Sequence, residues 1–135
     1  PPSNKAFVQS HQVAWETEDD VQWQELTAGG DSGLTGGLLR LGKGKNIPTH
    51  FHPSPYGEIY HFTRGNGVVK LNEYTPYEVR HQISPGLHVN IPARTLHGVE
   101  SGTEGCEFVW MFPSAPDKQW KDIPYFFVDP HVQDK

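Results

Sequence analysis

With 135 residues, the chain has the length of one domain with a single hydrophobic core. Its net charge of -5, without a lysine- or arginine-rich run, argues against a nucleic-acid partner. The sequence has no run of about 18 apolar residues that would predict a membrane span. We therefore expect neither nucleic acid nor membrane as a partner.

Two features bear on the compartment in which the protein works. The first residues lack the charged and apolar regions of a secretory signal. The single cysteine, Cys106, has no partner for an internal disulfide, which is compatible with a reducing compartment. We therefore expect a cytoplasmic protein.

The first part of the chain changes from a polar segment to short strands. Residues 1–20 are polar and end in the acidic run ETEDD, which we interpret as an arm with a solvated face. Residues 21–26 alternate between apolar and polar, which predicts a short half-buried strand. Residues 34–41 form a second predicted strand, in which Gly36 and Gly37 indicate a bulge or a close backbone approach.

The rest of the chain repeats short apolar runs between turns. His50 and His52 open one predicted strand, and residues 58–62 form the next. The dipeptide Asn66-Gly67 predicts a hairpin turn, after which residues 68–71 pair back. Further strands are predicted at residues 77–83, 87–91, 97–99 and 106–112. An aromatic tail is predicted to cover one end of the body, with Trp120, Tyr125, Phe126 and Phe127.

This spacing of strands, with glycine, proline and asparagine turns and no sustained helical period, predicts an all-β sandwich or barrel. On such a strand, residues two apart point to the same face, so His50 and His52 can direct both imidazoles to one point. After the turn PSPYG, the next strand can bring Glu58 to that point. His97 is a candidate fourth donor, and a set of such nitrogen and oxygen donors suits a transition metal.

Glycines, a proline and the histidines recur at fixed distances around these donors. Five residues separate Gly44 from His50, six separate Glu58 from Gly65, and five separate Gly86 from Pro92, which precedes His97. This pattern resembles the two motifs of the cupin superfamily. The sequence departs from the family at three places: five residues separate His52 from Glu58 where the family has fewer, Arg94 stands in place of glycine, and Ser101 in place of asparagine.

The resemblance implies a double-stranded β-helix, the cupin jelly-roll barrel. It places the barrel at residues 21–127, with the arm at 1–20 and a C-terminal tail at 128–135. It also implies a divalent transition metal, Fe(II), Mn(II), Ni(II), Co(II) or Zn(II), in the mouth of the barrel. The implied ligands are His50, His52, Glu58 and His97. The longer turn before Glu58 leaves open a site of three histidines alone.

One subgroup resembles the chain over a larger part of its length. Val21-x-Trp23, Glu58-Ile59-Tyr60, Gly65-x-Gly67 and the segment 110–113 are similar to short single-domain bacterial cupins, which include the cupin-type dimethylsulfoniopropionate lyases. In those lyases a tyrosine near the metal takes the α-proton of the substrate, and Tyr60 matches it by position. The resemblance therefore implies a metal-dependent lyase acting on a small polar or carboxylated metabolite.

Two other functions stay open on the same barrel. One is a Fe(II)- or Ni(II)-dependent dioxygenase, and the other is a non-catalytic module that binds a sugar-like small ligand. Three further residues are candidate substrate contacts: Arg94 as a carboxylate clamp, His88 as a second donor, and Trp110 in the barrel lining. We interpret His61 and His81 as surface residues. Because single cupin barrels leave sheet edges uncovered, we also expect a homodimer.

Overall fold

The computed structural model describes residues 6–29, 32–113 and 123–128. Its strands in chain order are β1 (Glu16–Glu18), β2 (Val21–Gly29), β3 (Leu34–Leu41), β4 (Asn46–Phe51), β5 (Glu58–Leu71), β6 (Val79–Ile83), β7 (His88–Ile91), β8 (His97–Pro113) and β9 (Phe126–Phe127). A short 3-10 turn spans Ser10–Gln12. The predicted all-β class is confirmed. Among the residues described, no helix is long and apolar enough to cross a membrane.

The strands form one curled antiparallel sheet in which β5 and β8 are the central pair. One path through the sheet runs in the order β1-β2-β3-β8-β4-β9, while β5 pairs with β6, β7 and β8. Both long strands contribute to two walls, because their register shifts near Gly65 and Gly67 and the pairing resumes beyond the shift. The walls therefore share one interior, as in a jelly-roll barrel.

The hairpin predicted at Asn66-Gly67 is wrong, because β5 runs without reversal through these residues. Gly65 and Gly67 have positive φ angles of 96° and 141°, and the backbone of β8 lies so close that a Cβ on either would overlap Gly105 or Glu100. The glycines allow β5 to bend and to approach β8 closely. Because a turn also requires glycine, the sequence signal is the same in both cases.

The close backbone approach predicted for Gly36 and Gly37 is confirmed. A Cβ on Gly37 would overlap the carbonyl of Gln24, and one on Gly36 would overlap the carbonyl of Trp110. The register between β2 and β3 shifts between Glu25 and Thr27, opposite these glycines. The two glycines therefore let β3 pack tightly between its neighbours.

Alternation along the strands separates the interior from the outer surface. In β5 the residues from Glu58 to Phe62 are alternately buried and partly exposed, as period-two geometry requires. The interior is filled by large apolar side chains of both walls, and four of the most buried are Phe62, Val69, Val99 and Phe108. The same inward direction carries Glu58 and Tyr60 toward the centre of the barrel.

The sheet begins earlier in the chain than the predicted boundary at residue 21. Within the predicted arm, β1 pairs antiparallel with β2, and Glu18 lies opposite Val21. The amide of the buried Gln24 donates to the carbonyls of Ser10 and Val13, at 2.7 and 2.6 Å, which fixes the preceding segment against the outer surface. At the other end β9 pairs with β4, whereas Trp120 and residues 129–135 of the predicted tail lie outside the described residues.

Candidate metal centre

Four polar side chains meet inside the barrel at one end of the sheet. His50 lies on β4, His52 directly follows that strand, and Glu58 and His97 are the first residues of β5 and β8. His50 and His97 are direct partners in the pairing of β4 with β8. One ligand atom from each of the four residues lies within 4.8 Å of all the others, and all four residues are buried. The structure therefore brings together the set of donors that the sequence predicted.

The three histidines are oriented by backbone carbonyls. The Nδ1 atoms of His50, His52 and His97 lie 2.9, 3.1 and 2.8 Å from the carbonyl oxygens of Pro48, Pro124 and Thr95, respectively. With Nδ1–H donating outward, each ring directs its Nε2 toward the others, which is how metal-binding histidines are held in proteins.

The inward nitrogens lie against a carboxylate oxygen. Nε2 of His97 is 3.1 Å from Oε1 of Glu58, and Nε2 of His52 is 3.4 Å from the same atom. Nε2 of His52 is buried and has no hydrogen-bond partner among the described residues. Neutral rings that donate from Nδ1 present only lone pairs to this oxygen, so either a proton or a cation must lie between them. The donor set thus fits a divalent metal.

The turn between His52 and Glu58 accommodates the residues that lengthen this motif. The amide of Tyr56 donates to the carbonyl of Pro53 at 2.9 Å, and that of Gly57 donates to Pro55 at 3.0 Å. These bonds close the turn outside the barrel, with Pro55 exposed. Glu58 therefore enters β5 in register with Ile91 and lies with the three histidines.

The protonation states of His50 and Glu58 favour metal binding. Burial, together with nearby His97, lowers the pKa of His50 to about 3, so its ring is neutral at neutral pH. Burial raises the pKa of Glu58, but contacts with His52 and His97 outweigh burial, and the pKa falls below its usual value. A neutral imidazole and an ionised carboxylate are the forms that bind metals.

Three of the four donors, His50, His52 and Glu58, line a cavity of about 570 Å³ with an aromatic wall and an acidic rim. The aromatic side chains are Trp23, Tyr60, Trp110, Phe112, Tyr125 and Phe127. The rim carries Glu18 from the end of β1, and Asp19 and Asp20 from the β1–β2 connection. Lys45 also lines the cavity, and its Nζ lies 3.2 Å from Oδ1 of Asp20. A ligand of small-metabolite size can therefore lie beside the donors in a mostly apolar space.

Tyr60 and Trp110 lie side by side in the wall of the cavity. They are partners in the pairing of β5 with β8, and both are at least 95% buried. The hydroxyl of Tyr60 donates a hydrogen bond to Glu58, and burial followed by this carboxylate raises the tyrosine pKa well above its usual value. The indole N–H of Trp110 is buried and has no acceptor among the described residues.

The structure does not bring the other two candidate contacts to the cavity. His88 lies on the outer surface of β7, where its partner in β5 is His61. Arg94 is exposed and has a positive φ of 65°, and its contribution near the site is a backbone N–H that donates to the carbonyl of His52 at 2.6 Å. Strand parity places His88 outside, because it shares the outward direction of its partner His61. Arg94 lies in the connection between β7 and β8, where its exposed side chain does not line the cavity.

Sequence reasoning missed two groups that complete the site. The C-terminal segment supplies the carbonyl of Pro124 to His52 and the rings of Tyr125 and Phe127 to the cavity. Glu18, Asp19 and Asp20, from the run interpreted as a solvated face, are exposed and also line the rim of the cavity. The pair Asp19-Asp20 between two alternating runs was the available signal for a β1–β2 turn at the rim.

Solved structures of other proteins are similar to this fold, whereas sequence comparisons found no match. No protein-family model and no curated protein matches the chain. KdgF from Halomonas sp. is similar in structure, with a TM-score of 0.66 and 18% identity over 82% of this chain and 96% of that one. An RmlC-like cupin from Shewanella frigidimarina is similar with a TM-score of 0.68 and 20% identity, over 82% and 92% of the two chains.

Larger proteins contain the same fold as a part. Oxalate decarboxylase from Bacillus subtilis is similar with a TM-score of 0.69 and 16% identity over 87% of this chain, which spans 30% of that protein. At these identities the likeness shows the fold alone. The chain therefore has the β-barrel fold of the cupins, with a buried group of three histidines and one glutamate that could bind a divalent metal.

Proposed function

We propose that this protein is a metal-dependent enzyme that acts on a small polar or carboxylated metabolite, by a lyase-type elimination. The observation that carries the proposal is the buried group of His50, His52, Glu58 and His97, which opens into a cavity of about 570 Å³. Four protein donors leave positions on a six-coordinate ion for a substrate oxygen. Fold likeness to a decarboxylase named for oxalate is in keeping with a carboxylated substrate.

The proposed chemistry divides between the metal and the residues around it. A bound divalent ion would supply Lewis-acid polarisation, which makes the C–H next to a carboxylate or carbonyl more acidic. Tyr60 then takes this proton at its phenolic oxygen. A Cα–Cβ double bond forms as the group on the β-carbon leaves with its bonding electrons.

The position of Tyr60 supports its role as the base. Its hydroxyl is hydrogen-bonded to Glu58, a proposed ligand, and its ring centroid lies 5.8 Å from that of His97. In the metal-free chain the Glu58 carboxylate raises the pKa of Tyr60. Positive charge at the donor group acts in the opposite direction and favours the phenolate. The base is therefore active only when the site is loaded.

The charges around the cavity limit how a carboxylate can be held. Among the described residues no arginine lines the cavity, and Lys45 is engaged by Asp20 at 3.2 Å. The acidic rim also disfavours the approach of a substrate with a net negative charge. A carboxylated substrate would therefore have its carboxylate at the donor group and no net negative charge overall.

The aromatic wall favours a second candidate function. Trp110 and Phe112 with Tyr125 and Phe127 offer flat apolar surface to a ring-containing substrate. This surface would suit a Fe(II)- or Ni(II)-dependent dioxygenase equally well. A non-catalytic small-ligand module and the expected homodimer also stay predictions.

Metal analysis and anaerobic turnover test the proposal. We expect one transition-metal ion per chain in purified protein, and its loss in His50→Ala. Dimethylsulfoniopropionate is the first probe, with dimethyl sulfide and acrylate as products, and other carboxylates with a β leaving group follow. Elimination should proceed without oxygen, whereas stoichiometric oxygen uptake would assign the dioxygenase. Absence of stoichiometric metal, with no change in His50→Ala, would exclude both enzymes.

A further inference from the structure

A second pair of histidines lies on the opposite side of the same wall from the donor group. His61 on β5 is the direct partner of His88 on β7, and their Nδ1 atoms are 3.0 Å apart. The ring centroids are 5.2 Å apart, with an interplanar angle of 52°. His88 is exposed and His61 is partly exposed, so solvent reaches the pair.

Strand parity separates this pair from the cavity. In the first part of β5, before its register shifts, Glu58 and Tyr60 point into the barrel, so His61 between Tyr60 and Phe62 points outward. The buried donor group and the pair of His61 and His88 therefore cannot bind a common ion.

The two Nδ1 atoms are close enough to share either one proton or one metal ion. One proton can join two neutral rings, but two protonated rings repel each other. Metal–nitrogen bonds of about 2.0–2.1 Å to two atoms 3.0 Å apart enclose an angle of about 90–97°. This is the cis angle of an octahedral or square-planar ion, and both rings would bind through Nδ1 after turning so that their lone pairs meet at the ion and not at each other.

The surroundings of the pair determine which cation it would take. Its neighbours in the pairing of β5 with β7 and β8 are Ile59, Asn90 and Val109, none of which carries a charge. Two imidazoles without a carboxylate suit borderline ions such as Cu(II), Ni(II) and Zn(II), whereas Ca(II) and Mg(II) require oxygen ligands.

We propose that His61 and His88 form a second, solvent-facing site for a divalent transition-metal ion, independent of the buried donor group. Water completes the coordination of this ion. The site is additional to the proposed function and does not depend on it. It implies that a fully loaded chain carries two ions, one inside the barrel and one on the outer face of β5 and β7.

Equilibrium dialysis against Cu(II), followed by elemental analysis, tests this site. We expect two bound ions per chain in the unmodified protein and one in the His61→Gln/His88→Gln double variant, because Gln cannot replace the imidazole nitrogens. The electron paramagnetic resonance spectrum should lose the nitrogen-coupled signal of the outer ion. His81→Gln, which changes another exposed histidine, should still bind two ions.

A His50→Gln variant separates this proposal from the function of the buried site. It should lose the inner ion and keep the outer one. Circular dichroism and the melting temperature would establish that each variant is folded. The outer site would be overturned if the double variant retained two ions. It would also be overturned if the unmodified protein bound one ion and His50→Gln bound none. Neither result would affect the proposed function.

Discussion

His50 and His97 are direct cross-strand partners of β4 and β8, and the centroids of their rings lie 4.2 Å apart. The residues are 47 positions apart in the chain (97 − 50), and the pairing of β4 with β8 brings their rings together. The position of the donor group is therefore set by strand register.

Replacing His97 with Gln should abolish metal-dependent stabilisation. His97 has 0% exposure, and Gln occupies similar space without an imidazole nitrogen. At a metal concentration 100-fold above the dissociation constant, the unmodified chain should gain about 2.7 kcal/mol. Thermal unfolding with and without Zn(II) measures this gain. His81→Gln, at an exposed site, is the control, and an equal metal-dependent shift in His97→Gln would contradict the assigned ligand.

Acid should destabilise the metal-free chain through His50. The pKa of this ring is lowered to about 3 in the folded chain from an ordinary value of 6.5, so the unfolded chain binds the additional proton between these values. Stability should therefore be complete above about pH 6.5 and should fall as the pH decreases toward 3. The loss is about 2 kcal/mol between pH 7 and pH 5.

Denaturant titrations at pH 7 and pH 5 check this slope. His50→Gln, which removes the titrating group, should show a smaller loss over the same interval. An identical loss in the variant and the unmodified chain would assign the acid sensitivity to other groups.

Tyr60→Phe should reduce turnover about 10²–10⁴-fold, the range for removal of a general base. Its metal content should be unchanged, because the hydroxyl is hydrogen-bonded to Glu58 without being part of the donor group. Steady-state kinetics and elemental analysis measure the two quantities. The control is Tyr77→Phe, at a residue that is 78% exposed. Unchanged turnover in Tyr60→Phe would remove this residue as the base.

Glu73→Gln should destabilise the fold by about 2–3 kcal/mol, since it breaks a mostly buried ion pair. Nζ of Lys70 lies 2.8 Å from Oε2 of Glu73 and keeps a second partner in Glu100 at 3.1 Å. The Thr49 hydroxyl also donates to Glu73 at 2.7 Å, which links this pair to the residue beside His50.

Glu78→Gln is the matched control for this ion pair. Its pair with Arg80 is about half exposed on the arginine side and has a distance of 3.5 Å, so we expect a change below about 1 kcal/mol. Urea unfolding compares the two variants, and equal effects would show that the Lys70–Glu73 pair contributes no more than a surface pair.

Gly65→Ala should destabilise the chain much more than Gly44→Ala. Both glycines have positive φ angles, 96° and 69°, so each substitution costs about 1–2 kcal/mol in backbone strain. Only at Gly65 would the new Cβ also overlap the backbone of Gly105, whereas Gly44 has open space. The overlap should add several kcal/mol or prevent folding. Comparable melting temperatures for the two variants would contradict the close approach of β5 and β8.

The sequence by itself determined the all-β class and named the four inner donors, although the longer turn left Glu58 open until the structure placed it with the histidines. Local periodicity was sufficient, because His50 and His52 share a face at any strand register. The motif spacing around Glu58 and His97 then placed these residues with them. The close approach at Gly36 and Gly37 was predictable for the same local reason.

Only the tertiary structure decided what surrounds the donors. The carbonyl of Pro124 lies 72 residues from His52, and the β1–β2 connection with Asp19 reaches the rim from outside the predicted barrel. The juxtaposition of His61 and His88 depends on which strands pair and in which register. Such contacts follow from pairing between distant segments, and a shift of one residue would turn every side chain to the other face. Periodicity along one strand does not contain that information.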